Sequence, residues 1–105
     1  MERTLLCGGR VLTPEGWRDD ADVLCERGAI ARIGRGLSDA GARRFDARDR
    51  IVAPGFIDVH VHGADGAMCE AGEEEGLRRI SATLARFGVT GFLATLATIL
   101  LAVMG

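Results

Sequence analysis

Lysine and tyrosine are absent from this chain, and histidine occurs only twice. All 13 positive side chains are therefore arginine; against 15 acids they leave a formal net charge of −2. A balance this close to neutral, with a pI of about 5.6, supplies no basic field. Nucleic acid and anionic membranes are held chiefly by clustered Lys and Arg, so neither is expected as a partner. The exclusive use of arginine reads as a base-composition habit and carries no function.

Cysteine is scarce too. Cys7, Cys25 and Cys69 are odd in number, widely spaced and without a C-x-x-C pair, which leaves neither a disulfide framework nor a cysteine zinc site. A reducing cytoplasm is the compartment that fits. The opening Met1-Glu2-Arg3-Thr4 leads into no long apolar region with a small-residue cleavage site, so an export signal is not expected. Long uncharged sequence is confined to the far end, where nothing from Val89 to Gly105 is charged. That approaches the ~20 apolar residues of a membrane helix. The run nonetheless holds Thr90, Thr95 and Thr98, is broken by Gly91 and opens on a β-branched cluster. It reads as a buried strand followed by an altered or truncated tail after Ile99, not as a membrane anchor.

What is present is an ordinary globular composition, 48% hydrophobic and 27% charged over 105 residues, enough for about one small domain. Texture changes at Ala53-Pro54-Gly55. Before it, Leu5–Cys7, Arg10–Thr13, Asp22–Cys25 and Ile30–Ile33 are short apolar or alternating runs. Gly8-Gly9, Pro14-Glu15-Gly16 and Arg27-Gly28 separate them as turn signals. Arg27-Gly28 is the place for a tight turn with positive φ, which glycine adopts without a Cβ penalty. A small polar connector, 34–44, leads to further short segments around Phe45 and at Ile51-Val52.

After the join, Phe56 to His62 alternates strictly, Ile57, Val59 and Val61 falling on one face and Asp58, His60 and His62 on the other. From Glu73 to Phe87 the spacing of Leu77, Ile80, Leu84 and Phe87 predicts a helix that buries them along one stripe. Glu73, Glu74 and Glu75 lie at the end where the helix dipole favours acids, and Gly88 is a natural stop. Residues 89 to about 98 then read as a second buried strand. Strand, helix, strand is the unit of a parallel α/β sheet, and the Leu77–Phe87 helix should pack on Ile57, Val59 and Val61.

Chemistry concentrates on His60 and His62. Residues two apart on a strand project the same way, ~7 Å apart at ~3.3 Å rise per residue, and their imidazoles can converge on one divalent ion at ~2.0–2.1 Å. A histidine in a strand is more often a satisfied or surface residue than a ligand. Here, however, the two are the chain's only histidines, share the polar face of an otherwise hydrophobic strand and precede a glycine loop. Glu73-Glu74-Glu75 reads as a solvated helix start, Gly63 and Gly66 as backbone requirements rather than a phosphate cradle, and Cys69 as a neutral packing residue.

These residues carry a family resemblance. Pro54-Gly55-Phe56-Ile57-Asp58-Val59-His60-Val61-His62 is similar to the P-G-x-I-D-x-H-x-H signature that opens the metal-dependent barrel of the amidohydrolase superfamily. The strand-rich first half resembles that family's N-terminal piece, which joins strands from the chain's far end in a small β-sandwich. His62-Gly63-Ala64-Asp65-Gly66 resembles the H-G-x-x-G loop of N-acetylglucosamine-6-phosphate deacetylases. Phe87-Gly88-Val89-Thr90-Gly91-Phe92-Leu93-Ala94-Thr95 resembles the same group's second strand. Dihydroorotase- and hydantoinase-like members tend instead to continue with Leu-Arg after the second histidine. Ala94 for a usual proline, Ala64 for a common glycine and Cys69-Glu70 for a Met-Asp-like pair are departures from the deacetylase pattern.

The resemblance, which covers residues 1 to 99, implies an α/β fold: β-sandwich strands over 1–53, then over 54–105 the first β-α-β of a TIM-type hydrolase barrel, incomplete in this sequence. It implies a divalent metal ion, Zn2+ first and Fe2+, Mn2+ or Co2+ as alternatives, with His60 and His62 as ligands. Asp58, Gly63 and Thr95 would stand beside the ligands or the substrate. The implied reaction is hydrolysis of N-acetylglucosamine 6-phosphate, an amino sugar phosphate, to glucosamine 6-phosphate and acetate, in a cytoplasmic enzyme that is homo-oligomeric at full length. The remaining ligands and the catalytic aspartate come from later strands in the family and have no counterpart here, so the isolated chain is expected to be inactive. The alternatives are a dihydroorotase- or hydantoinase-like cyclic amidase, a non-catalytic β-domain, or a gene remnant.

Overall fold

A computed structural model describes residues 2–97; Thr98 and the apolar tail lie outside the described residues. The chain divides into two compact units, Met1–Pro54 and Gly55–Gly105. Among the described residues no helix is long and apolar enough to cross a membrane.

The first unit is one five-stranded sheet. Strands β1 (Arg3–Thr13), β2 (Gly16–Glu26) and β3 (Ala29–Gly34) form an antiparallel meander, and β4 (Arg43–Asp46) and β5 (Ile51–Val52) both pair with β1 in parallel. Arg27 and Gly28 carry φ of 54° and 74°, the paired positive values of a two-residue turn whose twist matches the strands it joins. Gly8-Gly9 corrects the sequence reading. It is not a turn, because β1 runs through it with register shifts on either side of Gly9, as a bulge produces.

Two long-range contacts explain that bulge. Gly8, at φ 72°, donates its N–H to Asp22 Oδ1 at 2.8 Å, while a Cβ on Gly9 would run into Val52 and Ala47. Asp22 is itself buried, and its second oxygen accepts the Leu37 N–H at 2.9 Å. Both oxygens of a desolvated carboxylate are thus satisfied. Val11, Ala21 and Val23 form the apolar core, with Leu6, Cys25, Ile33 and Val52 packed around it.

The second unit is a β-α-β element. Strand β6 (Phe56–Val61) pairs in parallel with β9 (Val89–Ala94). The connection holds a small hairpin, β7 (Gly63–Ala64) and β8 (Ala67–Met68), then a 3-10 turn (Cys69–Ala71) and helix α1 (Glu74–Ala85). Asp65 and Gly66 turn the hairpin with φ of 50° and 76°, the same primed turn as Arg27-Gly28. Glu74 and Glu75 occupy the first helical turn, where their charge meets the positive end of the dipole.

Two expectations fail in this unit. The helix stops at Ala85, because Phe87 and Gly88 donate to Leu84 and Ala85 in tightened three-residue turns and Gly88 takes φ 84°. Phe87 is thereby rotated off the stripe and left 73% exposed. Nor does the helix cover the whole apolar face of β6: Ile57 and Val59 are 64% and 68% exposed, and only Val61 is buried. Ile80 instead packs with Ala67 and Cys69, bordered by Ala64, Leu77, Leu84 and Phe92. The hairpin and the 3-10 turn supply the surface that the apolar stripe of α1 seeks.

Candidate metal centre

His60 is the penultimate residue of β6, and His62 stands just past its end. Their rings meet edge to face with centroids 5.0 Å apart and planes at 61°. The Nε2 atoms are 3.1 Å apart. Two nitrogens on the corners of a tetrahedron around an ion at ~2.0–2.1 Å would be ~3.3 Å apart, so the separation of the two donors matches that of two ligands on one ion. Both lone pairs can face an ion only if each ring carries its proton on Nδ1; with a proton left on one Nε2, the same contact is an N–H···N hydrogen bond. Both side chains are exposed.

The backbone of β6 is irregular at this point. Asp58 pairs with Phe92 and Val61 with Ala94, so two residues, Val59 and His60, stand opposite the single Leu93, which is a bulge. Bulges of this kind re-aim side chains beside functional sites. Asp58 Oδ1 accepts the backbone N–H of His60 at 3.1 Å. Through this bond the carboxylate braces the backbone of His60.

Thr95 sits alongside. Its N–H donates to the Val61 carbonyl at 2.9 Å, extending the β6–β9 pairing beyond Ala94, and its hydroxyl donates to Leu93 O at 3.1 Å. Gly63 begins the hairpin directly after His62, where a Cβ would strike the Ala67 carbonyl oxygen. Glycine is required there by close backbone approach. Cys69 is buried, its N–H donating to His62 O at 2.7 Å and its thiol lying 3.5 Å from Val61 O. That agrees with a packing cysteine.

Glu70 was visible in the sequence only as a departure from a family pattern. Its Oε1 accepts the Ala97 N–H at 3.0 Å, a contact across 27 residues that no local spacing signals. Among the described residues no three His, Cys, Asp or Glu side chains converge as a metal-binding group. Two imidazoles would supply two positions of a ~four-coordinate shell.

A strong electrostatic perturbation occurs in the first unit. There the Arg48 guanidinium grips Asp46 with bonds of 2.9 and 2.7 Å, helped by the Arg48 N–H at 3.0 Å. Together they hold the Asp46 carboxyl at about 2, against an ordinary 3.8.

Comparison with known proteins bears on both units. The model of the amidohydrolase family matches residues 51–104. A dihydroorotase of Trichlorobacter lovleyi is 48% identical over 66 residues, which is 61% of this chain and 16% of that protein. The N-acetyl-D-glucosamine-6-phosphate deacetylase structure from Mycobacterium smegmatis matches with a TM-score of 0.74 at 28% identity, over 91% of this chain and 27% of that one. A D-hydantoinase (dihydropyrimidinase) from a Thermus species matches with a TM-score of 0.64 at 28% identity, over 90% of this chain and 20% of that one.

Proposed function

The chain belongs to the amidohydrolase family, and we propose that it contributes His60 and His62 as metal ligands to an enzyme that hydrolyses a C–N amide bond. The observation that carries this reading is the 3.1 Å approach of the two Nε2 atoms at the carboxyl end of a strand paired in parallel with its neighbour. In parallel α/β architectures active sites gather at that end of the strands.

A divalent ion bound there would lower the pKa of a bound water and polarise the amide carbonyl. The chain's own residues hold the ligands for it. The bulge and Asp58 set the path of β6 at His60, the Cys69 N–H anchors the carbonyl of His62, and Thr95 locks β9 beside Val61. The remaining coordination positions are open to water, substrate and residues outside the described ones.

For the substrate, the fold likeness to the deacetylase over 91% of this chain, together with the His62-Gly63-Ala64-Asp65-Gly66 loop, supports an N-acetylated amino sugar phosphate. The acetamide would be split to acetate and a free amine. A second reading, a cyclic amide opened by the same chemistry, is supported by the 48% identity to a dihydroorotase. The test is a paired assay on the protein carrying this chain, loaded with Zn2+. Acetate release from N-acetylglucosamine 6-phosphate and opening of the dihydroorotate ring are followed side by side with a His60→Ala/His62→Ala control. Metal-dependent acetate release that the control lacks supports the first substrate, ring opening alone supports the second, and hydrolysis of neither by metal-loaded protein rejects the reading.

A further inference from the structure

We propose that Glu70 is a positioning residue for the metal ligands, closing a ring of hydrogen bonds that holds His62 in register with His60. The proposal rests on the metal-hydrolase reading of the pair. Its starting point is that His62 lies outside β6, so the β6–β9 ladder does not fix its backbone. What fixes it is the Cys69 N–H on its carbonyl at 2.7 Å.

Cys69 belongs to a three-residue 3-10 turn that ends on Gly72 at φ 63°, a segment too short to be rigid alone. The next residue along supplies the missing anchor. Glu70 reaches past the turn to the Ala97 N–H at 3.0 Å, and Ala97 follows Thr95, whose own N–H is on Val61 O at 2.9 Å. The circuit is complete: Val61 and His62 to Cys69 and Glu70, to Ala97 and Thr95, and back to Val61. The apolar side of the same turn is pinned by Cys69 packing on Ala67 and Ile80. A charge-assisted acceptor on a backbone N–H is among the stronger single hydrogen bonds. Here it spans the gap between the connection and the far end of β9 that no ladder bond crosses.

The test separates reach from charge in the full chain. Glu70→Gln keeps an acceptor oxygen at the same arm length, whereas Glu70→Asp keeps the charge but withdraws the oxygen by one methylene. Both are gentle enough to preserve the fold, checked by circular dichroism. Co2+ binding is titrated by its visible absorption, and exchange of the Ala97 and Cys69 amides is followed by NMR. The expected result is that Glu70→Asp weakens Co2+ binding about 10–100-fold, the range typical of outer partners of metal ligands. It should also alter the cobalt spectrum and speed exchange at both amides, while Glu70→Gln, which keeps the reach and gives up only the charge assistance, loses clearly less. Parent-like cobalt binding by Glu70→Asp, or an equal loss in Glu70→Gln, overturns the proposal. If His60→Ala/His62→Ala binds Co2+ as tightly as the parent, the pair is not the metal site, and the underlying reading falls with it.

Discussion

His60 and His62 bring their Nε2 atoms to 3.1 Å of each other across Val61, whose side chain turns away and is 8% exposed. One residue is anchored inward while its two neighbours face solvent together. Under the proposed metal-hydrolase reading the two rings act as a pair, and neither can replace the other. Either single substitution, His60→Ala or His62→Ala, is expected to weaken Zn2+ by more than the ~10–100-fold that loss of a supporting partner costs. Competition against a chromophoric chelator measures it. An unchanged affinity in either variant would place the metal elsewhere.

Asp46 gives a prediction in pH. Its carboxyl is depressed from 3.8 to about 2, chiefly by the Arg48 side-chain hydrogen bonds. A carboxyl lowered on folding stabilises the native state above its unfolded value, and that contribution is lost as pH falls through the folded one. The difference in urea stability between the parent and Arg48→Ala should thus persist at neutral pH, shrink from about pH 4 downward and vanish only below about pH 2. In Arg48→Ala an NMR titration of Asp46 should move its midpoint back toward 3.8. Because the pair is fully exposed, the effect is small and salt-sensitive. A midpoint that stays put in Arg48→Ala would refute the assignment.

Ile80 is fully buried at the centre of the second unit's core, against Ala67 and Cys69. Truncation leaves a cavity as well as losing apolar burial, so Ile80→Ala should cost about 2–5 kcal/mol. Leu77→Ala on the same stripe is only partly buried and should cost less. Urea melts of the two variants compare them; equal losses would mean that the core is not centred on Ile80.

The local signals in the sequence were read well where a local cause decides the structure. Arg27-Gly28 turned as its residue types require, and the acid-rich start and periodic stripe of α1 placed the helix to within a turn. Reading failed where a distant partner decides. Gly8-Gly9 resembles a turn in isolation, but the Asp22 carboxylate, 14 residues away, and Val52 convert it into a bulge within one long strand. The alternation of Ile57, Val59 and Val61 signalled neither the bulge at Val59-His60 nor what would cover them. For the site, two histidines on one polar face could be read directly from spacing. The Glu70–Ala97 bond could not, since nothing local to either residue encodes it.

Gly63 and Gly66 lie three residues apart in the loop after His62, and they are glycine for different reasons, which substitution can separate. At Gly66 an added Cβ meets nothing within 4 Å, but the backbone sits at φ 76°. Gly66→Ala should therefore cost about 1–2 kcal/mol of left-handed strain and leave the hairpin's shape intact. At Gly63 a Cβ would run into the Ala67 carbonyl and the Met68 backbone and sulfur, most of it backbone that cannot rotate away. Gly63→Ala must open the β7–β8 pairing, at about 1–3 kcal/mol by analogy with overpacked cores. It also displaces the Cys69 N–H from His62 O, because that bond continues the Gly63–Met68 pairing by one more step. The expectation is a split: both variants lose stability in urea, yet only Gly63→Ala loses Co2+ affinity. Equal cobalt binding by the two would show that the hairpin does not hold His62 and that the ligand geometry is set by β6 alone.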